Sequence, residues 1–400
     1  MDAFAFEPDR DGLAWSVEAL FQQFDSVGLH NLPDTFPENG DGPLTALQTL
    51  APAVLGGARD LGAPGFFAHM DPPTPWVSWA ASMWTASRNQ NLLHPDTAPL
   101  AREVEQRVIN WLAPLFAMSG GHLTPGSTVA NLTAIWAARE AGATEVVASE
   151  QAHLSIRKAA HLLGMPFRSV ADWNNPGDIS TSVAVVTAGT TSTGDIEPLD
   201  AANSARWRHA DAAWAGPLRL SQRHGHLLDG IESFDSVSVS AHKWLFQPKE
   251  SALVLFANHE AAHASISVDG AYLEVPNVGL LGSHGATAAP LLATLLAYGR
   301  NGIADMLDQS MALAYEMYEL VVASPDFVVR SAPNAGVLCW RHETVSPDDT
   351  KANLASDAFI STTLVHGEPW LRSVAANPMA DPQLVLHAAR TAADQVRSGT

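Results

Sequence analysis

One cysteine, Cys339, is all that 400 residues contain. No internal disulfide can form, and no cysteine cluster can hold structural zinc. Basic residues are scarce as well: 22 Lys and Arg face 42 Asp and Glu, a net charge of −20. A surface of that sign repels phosphate backbones and anionic lipid, which argues against nucleic acid and membrane surfaces as partners. No uninterrupted apolar run approaches the roughly 18 residues of a membrane span. The acidic start MDAFAFEPDRDGLAW lacks the basic segment and apolar stretch of a signal peptide, so the cytoplasm is the expected compartment. Internal repeats and low-complexity linkers are missing too.

What is present is material for a large core. Apolar residues make up 46% of the chain and charged residues only 16%, with 12 Trp and 14 Phe, a composition that excludes a disordered chain. The length exceeds the roughly 100–200 residues of one ordinary domain. The expected organisation is an N-terminal helical and extended segment over 1–60, a large α/β domain over 61–290 and a small α+β domain over 291–400.

Apolar spacing predicts a helix over 11–24 capped by Asp11, and a long helix from Pro99 to Met118 with Val104, Val108, Trp111 and Leu112 on one face. From 130 to 257, helices (130–141, 153–163) alternate with β-rich runs (145–149, 183–187, 236–240, 252–256). Strands separated by helices require crossovers, which implies an α/β fold with a mainly parallel sheet and chemistry at the carboxyl ends of its strands. Helices near 290–298 and 303–323, then strands in VVRS and AGVLCW, fit a smaller terminal domain.

Only four lysines occur: Lys158, Lys243, Lys249 and Lys351. Lys243 follows the β-rich run SVSVS and stands between His242 and Trp244. Desolvation at such a place disfavours the ammonium form, which suits a Schiff-base lysine. In HADAAW (209–214), Asp211 stands between alanines and near Trp214; burying its carboxylate requires a cation or donor, such as a pyridinium nitrogen. GHLTPGSTVANL (121–132) places Ser127 and Thr128 at a helix start, an anion seat suited to phosphate. TAGTTSTGD (187–195) is a further Gly/Thr turn after a strand, and His153 opens the helix after EVVAS.

In this order the segments resemble the fold-type-I enzymes that use pyridoxal 5′-phosphate (PLP), and more closely the group II amino-acid decarboxylases, over about residues 65–300. The resemblance implies a seven-stranded-type sheet flanked by helices. It implies that Lys243 forms the Schiff base with PLP, Asp211 pairs with the pyridine nitrogen and His153 stacks on the ring. Thr187 and Ala213 would contact the cofactor, while Ser127, Thr128 and His242 would hold its phosphate. FFAHMDPPTPW (66–76) and NQNLLHP (89–95) match the family's substrate side, making Pro73, Thr74 and Asn91 candidate substrate contacts. Gly282 and Ser283 of the GSH turn would reach the phosphate of a neighbouring subunit in a homodimer. Tyr272 falls where the family carries the tyrosine that reprotonates the substrate carbon. Two positions depart from the family pattern: Val129 replaces an acid in the phosphate turn, and His284 replaces an arginine.

The implied reaction is decarboxylation of an L-amino acid. Transamination or Cα–Cβ cleavage is the runner-up, with Arg372 in WLRSV as a possible carboxylate clamp. A non-catalytic PLP-binding protein is a weaker reading, as is a metal hydrolase built from the sixteen histidines; no metal is expected.

Overall fold

The computed structural model describes residues 7–24, 32–271 and 273–399. The chain divides into two compact units, residues 1–60 and 61–400. In the first, α1 (Arg10–Ala19) is capped by Asp9, whose carboxylate accepts from the Asp11 amide at 3.0 Å. The cap thus lies two residues before the expected Asp11, which instead puts its charge in the first turn. The helix α2 (Pro43–Ala51) opens with proline at its first position and runs into a π-turn over Pro52–Gly56.

The second unit begins with an irregular segment and then α3 (Trp76–Arg88) and α4 (Ala101–Leu112). The long helix expected to Met118 stops at Leu112 and tightens into a 3₁₀ turn, because Pro114 has no amide to donate to the preceding turn. On α4, Val108, Ile109 and Leu112 are buried whereas Trp111 is exposed, so the apolar face is rotated from the expected one.

The large sheet is assembled from β1 (Gly120–Thr124), β2 (Glu145–Ser149), β3 (Phe167–Val170), β4 (Ser182–Thr187), β5 (Trp207–Asp211), β6 (Ser236–Val239) and β7 (Ala252–Phe256). Between them run α5 (Ser127–Glu140) and α6 (Leu154–Leu162). The strand order is β3-β2-β4-β5-β6-β7-β1; β7 is antiparallel to both of its neighbours, and the five strands from β3 to β6 are mutually parallel. Every residue of β4, β6 and β7 is buried, as expected of strands covered on both faces.

Beyond the sheet come α7 (His259–Ser265), the short pair β8 (Ser267–Val268) and β9 (Asn277–Val278), and α8 (Ala288–Val322), kinked at Gly299 where φ is +61°. The smaller sheet has the order β10-β11-β13-β12, from β10 (Phe327–Val329), β11 (Val337–His342), β12 (Ser361–Val365) and β13 (Glu368–Val374). It is joined by α9 (Pro347–Ala352) and α10 (Pro382–Ser398). The observed architecture is therefore the expected α/β one, with a seven-stranded, mostly parallel sheet and a smaller C-terminal sheet.

Candidate active site

Register sets the site. Thr187 at the end of β4 pairs with Asp211 at the end of β5, and Asp211 pairs with Ser238 on β6. Three polar side chains therefore stand side by side at the carboxyl edge, where open parallel sheets bind ligands. Two residues past β6 the chain turns through Ala241, His242 and Lys243. The turn is held by the Lys243 amide donating to the Ser240 carbonyl at 3.2 Å and the His242 amide to that of Ser251 at 2.9 Å. Opposite it, Gly126 caps α5 at φ +109°, a conformation that favours glycine; a Cβ there would also stand 3.4 Å from the His242 ring. Ser127, the first residue of α5, thus faces the turn that carries Lys243.

Two indoles weld these turns. Trp214 and Trp244 stack with centroids 3.9 Å apart, and both are buried. Trp214 Nε1 donates to the Ala335 carbonyl at 2.7 Å and Trp244 Nε1 to that of Ala375 at 3.3 Å, fixing both turns to the C-terminal region.

Burial pushes the Lys243 ammonium below its ordinary range, against the opposing attraction of Asp211 and Asp71. The amine is thereby made easier to deprotonate. Burial also lowers His153 and brings His242 down to about 4, helped by the nearby charges of Lys249 and Lys243. Both imidazoles are consequently neutral near pH 7. Asp211, almost fully buried, receives Asn131 Nδ2 at 3.0 Å on one oxygen and the Ala213 amide at 3.2 Å on the other.

Eight buried side-chain atoms have no hydrogen-bond partner among the described residues, and four belong to these turns: Ser127 Oγ, Thr187 Oγ1, Ser240 Oγ and His242 Nδ1. Unmet polar groups are costly in a protein interior. Their position around an amine and a carboxylate fits a polar, phosphorylated pyridine such as PLP.

Lys243, Asp211, His153, Thr187, Ala213, His242 and Ser127 come together here; Thr128, the next residue on α5, is exposed. The loop carrying Pro73 and Thr74 is tied to the same region by an ion pair between Asp71 and Lys249. Thr74 Oγ1 itself accepts from Trp79 Nε1 at 2.6 Å. Asn91 is joined instead to Ser283, 3.1 Å from its Nδ2, and that turn, with Gly282, is exposed. Tyr272 lies outside the described residues. Arg372 is buried, and its guanidinium donates to the Thr191 carbonyl at 2.9 Å and Ser361 Oγ at 3.1 Å, so its near partners are not the carboxylates of an ordinary salt bridge.

Sequence reasoning missed Asn131, Ser155 and Glu197. Asn131 lies four residues after Ser127, on the same helix face, which was an available signal. Glu197 accepts from the Thr187 amide at 2.7 Å and from Trp173 Nε1 at 3.1 Å, pinning the end of β4. Also overlooked was His259-Glu260-Ala261-Ala262-His263, an H-E-x-x-H pattern associated with zinc when carried on a helix. Here His259 Nδ1 is 2.9 Å from Ser119 Oγ and His263 Nε2 is 3.1 Å from His122 Nδ1. Among the described residues no group of three or more His, Cys, Asp or Glu is arranged to hold a metal ion.

Residues 28–343 match the family model described as the pyridoxal-dependent decarboxylase conserved domain. The chain belongs to this family. It is 31% identical over 414 residues to an L-2,4-diaminobutyrate decarboxylase of Rhizobium meliloti, covering 90% of this chain and 83% of that protein. It is 28% identical over 362 residues to an aspartate 1-decarboxylase of Aliivibrio fischeri, covering 73% of this chain and 66% of the relative. Its fold is shared with the glutamate decarboxylase domain of a Vibrio parahaemolyticus protein, at a TM-score of 0.80 and 23% identity over 96% of this chain and 94% of the other. This pyridoxal-dependent decarboxylase is a carboxy-lyase: it uses PLP to remove carbon dioxide from an amino acid. No helix among its described residues is long and apolar enough to cross a membrane.

Proposed function

We propose that Lys243 anchors PLP through its amine, with Asp211 at the ring nitrogen and His153 against the ring face. Thr187 and Ala213 complete the ring contacts, and Ser127, Thr128 and His242 hold the phosphate. The observation that carries this reading is the set of four unpartnered buried polar atoms surrounding Lys243 and Asp211. When bound, PLP supplies the electron sink for the pair left by the departing carboxylate.

The protein's own part is proton placement and orientation. Burial leaves Lys243 Nζ more readily unprotonated, so it can act as a nucleophile and can exchange a proton with the incoming amine. Neutral His242 can donate its one N–H to a phosphate oxygen without adding a fixed cation. Tyr272 is the proposed acid that returns a proton to the substrate α-carbon. Pro73, Thr74 and Asn91 are the proposed substrate contacts.

The charges that act on Lys243 include Asp71, Lys249 and Arg372. The proposed substrate has a short charged side chain, as do the diaminobutyrate and aspartate named for the relatives. Carbon dioxide release across a panel of L-amino acids tests this: diaminobutyrate or aspartate should lead, and turnover confined to large apolar substrates would contradict it.

The proposed assembly is a cytoplasmic homodimer in which Gly282 and Ser283 reach the partner's phosphate. On α3, Trp76, Trp79 and Trp84 are 68%, 44% and 68% exposed. Such an exposed aromatic ridge supports association of two copies.

A further inference from the structure

Asn131 is fully buried on α5, and its four hydrogen bonds each have a direction. Its Nδ2 donates to Asp211 Oδ2 at 3.0 Å and to Ser155 Oγ at 2.9 Å. Its Oδ1 accepts from Ser238 Oγ at 2.6 Å and from His209 Nε2 at 3.0 Å. The reversed amide would set its oxygen against the Asp211 carboxylate, so only this orientation satisfies all four groups.

The proton arrangement follows outward from the amide. His209, which burial brings down to about 4, is neutral and carries its proton on Nε2; its Nδ1 accepts from Ser236 Oγ at 2.9 Å. Ser236 Oγ in turn accepts from Trp207 Nε1 at 2.8 Å, a group that can only donate. On the other side, Ser155 Oγ has accepted from Asn131 and has its own proton left for His153 Nδ1, 2.9 Å away. The Ser155 amide points at the same nitrogen from 3.2 Å. His153 therefore holds its proton on Nε2.

We propose that Asn131 is a positioning residue for the reaction. It fixes the carboxylate that meets the cofactor's ring nitrogen and, through Ser155, the tautomer of the imidazole that meets the ring face. Two groups from different elements thus act as one unit. This inference rests on the assignment of Asp211 to the ring nitrogen made above. Without the amide, Asp211 Oδ2 loses its side-chain N–H donor in a buried place, and the carboxylate must turn to find another.

Equilibrium binding of PLP and of its 1-deaza analogue, which has CH in place of the ring nitrogen, separates this role from general support of the fold. Quenching of tryptophan fluorescence in the apoprotein gives both dissociation constants. The wild-type protein should prefer PLP, and Asn131→Ala should shrink that preference about tenfold, the size expected for one hydrogen bond to a charged group. Asn131→Thr, which keeps a single hydroxyl, gives a second reading of the same ratio if the alanine variant does not fold, and should shrink it by a smaller factor. Equal weakening of both ligands, with the ratio unchanged, would overturn the role of Asn131. Absence of any preference in the wild-type protein would instead remove Asp211 from the ring nitrogen, and the inference with it.

Discussion

Trp214 and Trp244 stack at 3.9 Å between ring centroids, inclined by 28°, three residues after Asp211 and one residue after Lys243. The two turns that carry the proposed chemistry are therefore registered through a shared buried contact as well as through the sheet. The packing is close: a Cβ at Gly189 would come within 2.8 Å of the Trp214 ring, and one at Gly336 within 2.7 Å of the Trp244 ring.

Removing either ring should be expensive. Trp214→Ala is expected to destabilise the protein by about 3–5 kcal/mol, as for other large-to-small changes in a packed core. Trp244→Phe keeps a ring but loses the bond to Ala375 and should cost about 1 kcal/mol from that bond. Urea unfolding of the apoproteins measures both; equal midpoints for wild type and Trp214→Ala would show that the stack carries no stability.

Acid should weaken the apoprotein through its buried histidines, against an opposite contribution from Glu105 and Glu197, whose carboxyls burial raises. His209, His242 and His263 are each brought down to about 4 and His122 to about 3, chiefly by burial, from an ordinary value of 6.5. Between these limits the unfolded chain binds more protons than the folded one, so stability rises with pH through the window. It is complete above about 6.5 and is lost as pH falls towards 4. Melting temperature measured from pH 4 to 8 should show this slope, and His209→Gln should flatten it; a wild-type profile flat from pH 4 to 6.5 would contradict the account.

Tyr272→Phe should divert product away from the amine and towards aldehyde or transamination by-products, because the proposed donor to the α-carbon is gone. Chromatographic product analysis reads the split. An unchanged amine yield would assign that proton to another group.

The ridge on α3 bears on assembly. Light scattering should give twice the 42.5 kDa chain mass for the wild-type protein. Trp84→Glu, which puts a charge into the proposed contact, should shift the population towards single chains. A wild-type protein that stays at the chain mass at micromolar concentration would rule out the homodimer.

The sheet and the chemical segments were legible because each has a local signature. Val183–Thr187 and Ala252–Phe256 are unbroken β-rich runs, Lys243 is one of four lysines and sits between His242 and Trp244 after a β-rich run, and Asp211 stands between alanines near Trp214. What escaped notice depends on tertiary neighbours. Gly120–Thr124 has little strand character of its own, and it is a strand because β7 pairs with it antiparallel. Asn131 looks like an ordinary helical asparagine until Asp211 and His209 of β5, Ser155 of α6 and Ser238 of β6 converge on it from three other elements. Trp76, Trp79 and Trp84 share a helical spacing, but spacing alone does not say whether that face turns inward or outward.

The claim on which the rest depends is covalent attachment of PLP at Lys243. Borohydride reduction of the PLP-loaded protein, followed by proteolysis and mass spectrometry, tests it directly, with only three other lysines to compete. The account predicts a pyridoxyl-phosphate adduct on the peptide containing Lys243 and its loss in Lys243→Ala, together with loss of carbon dioxide release. An adduct on Lys158, Lys249 or Lys351 instead, or undiminished turnover in Lys243→Ala, would contradict it.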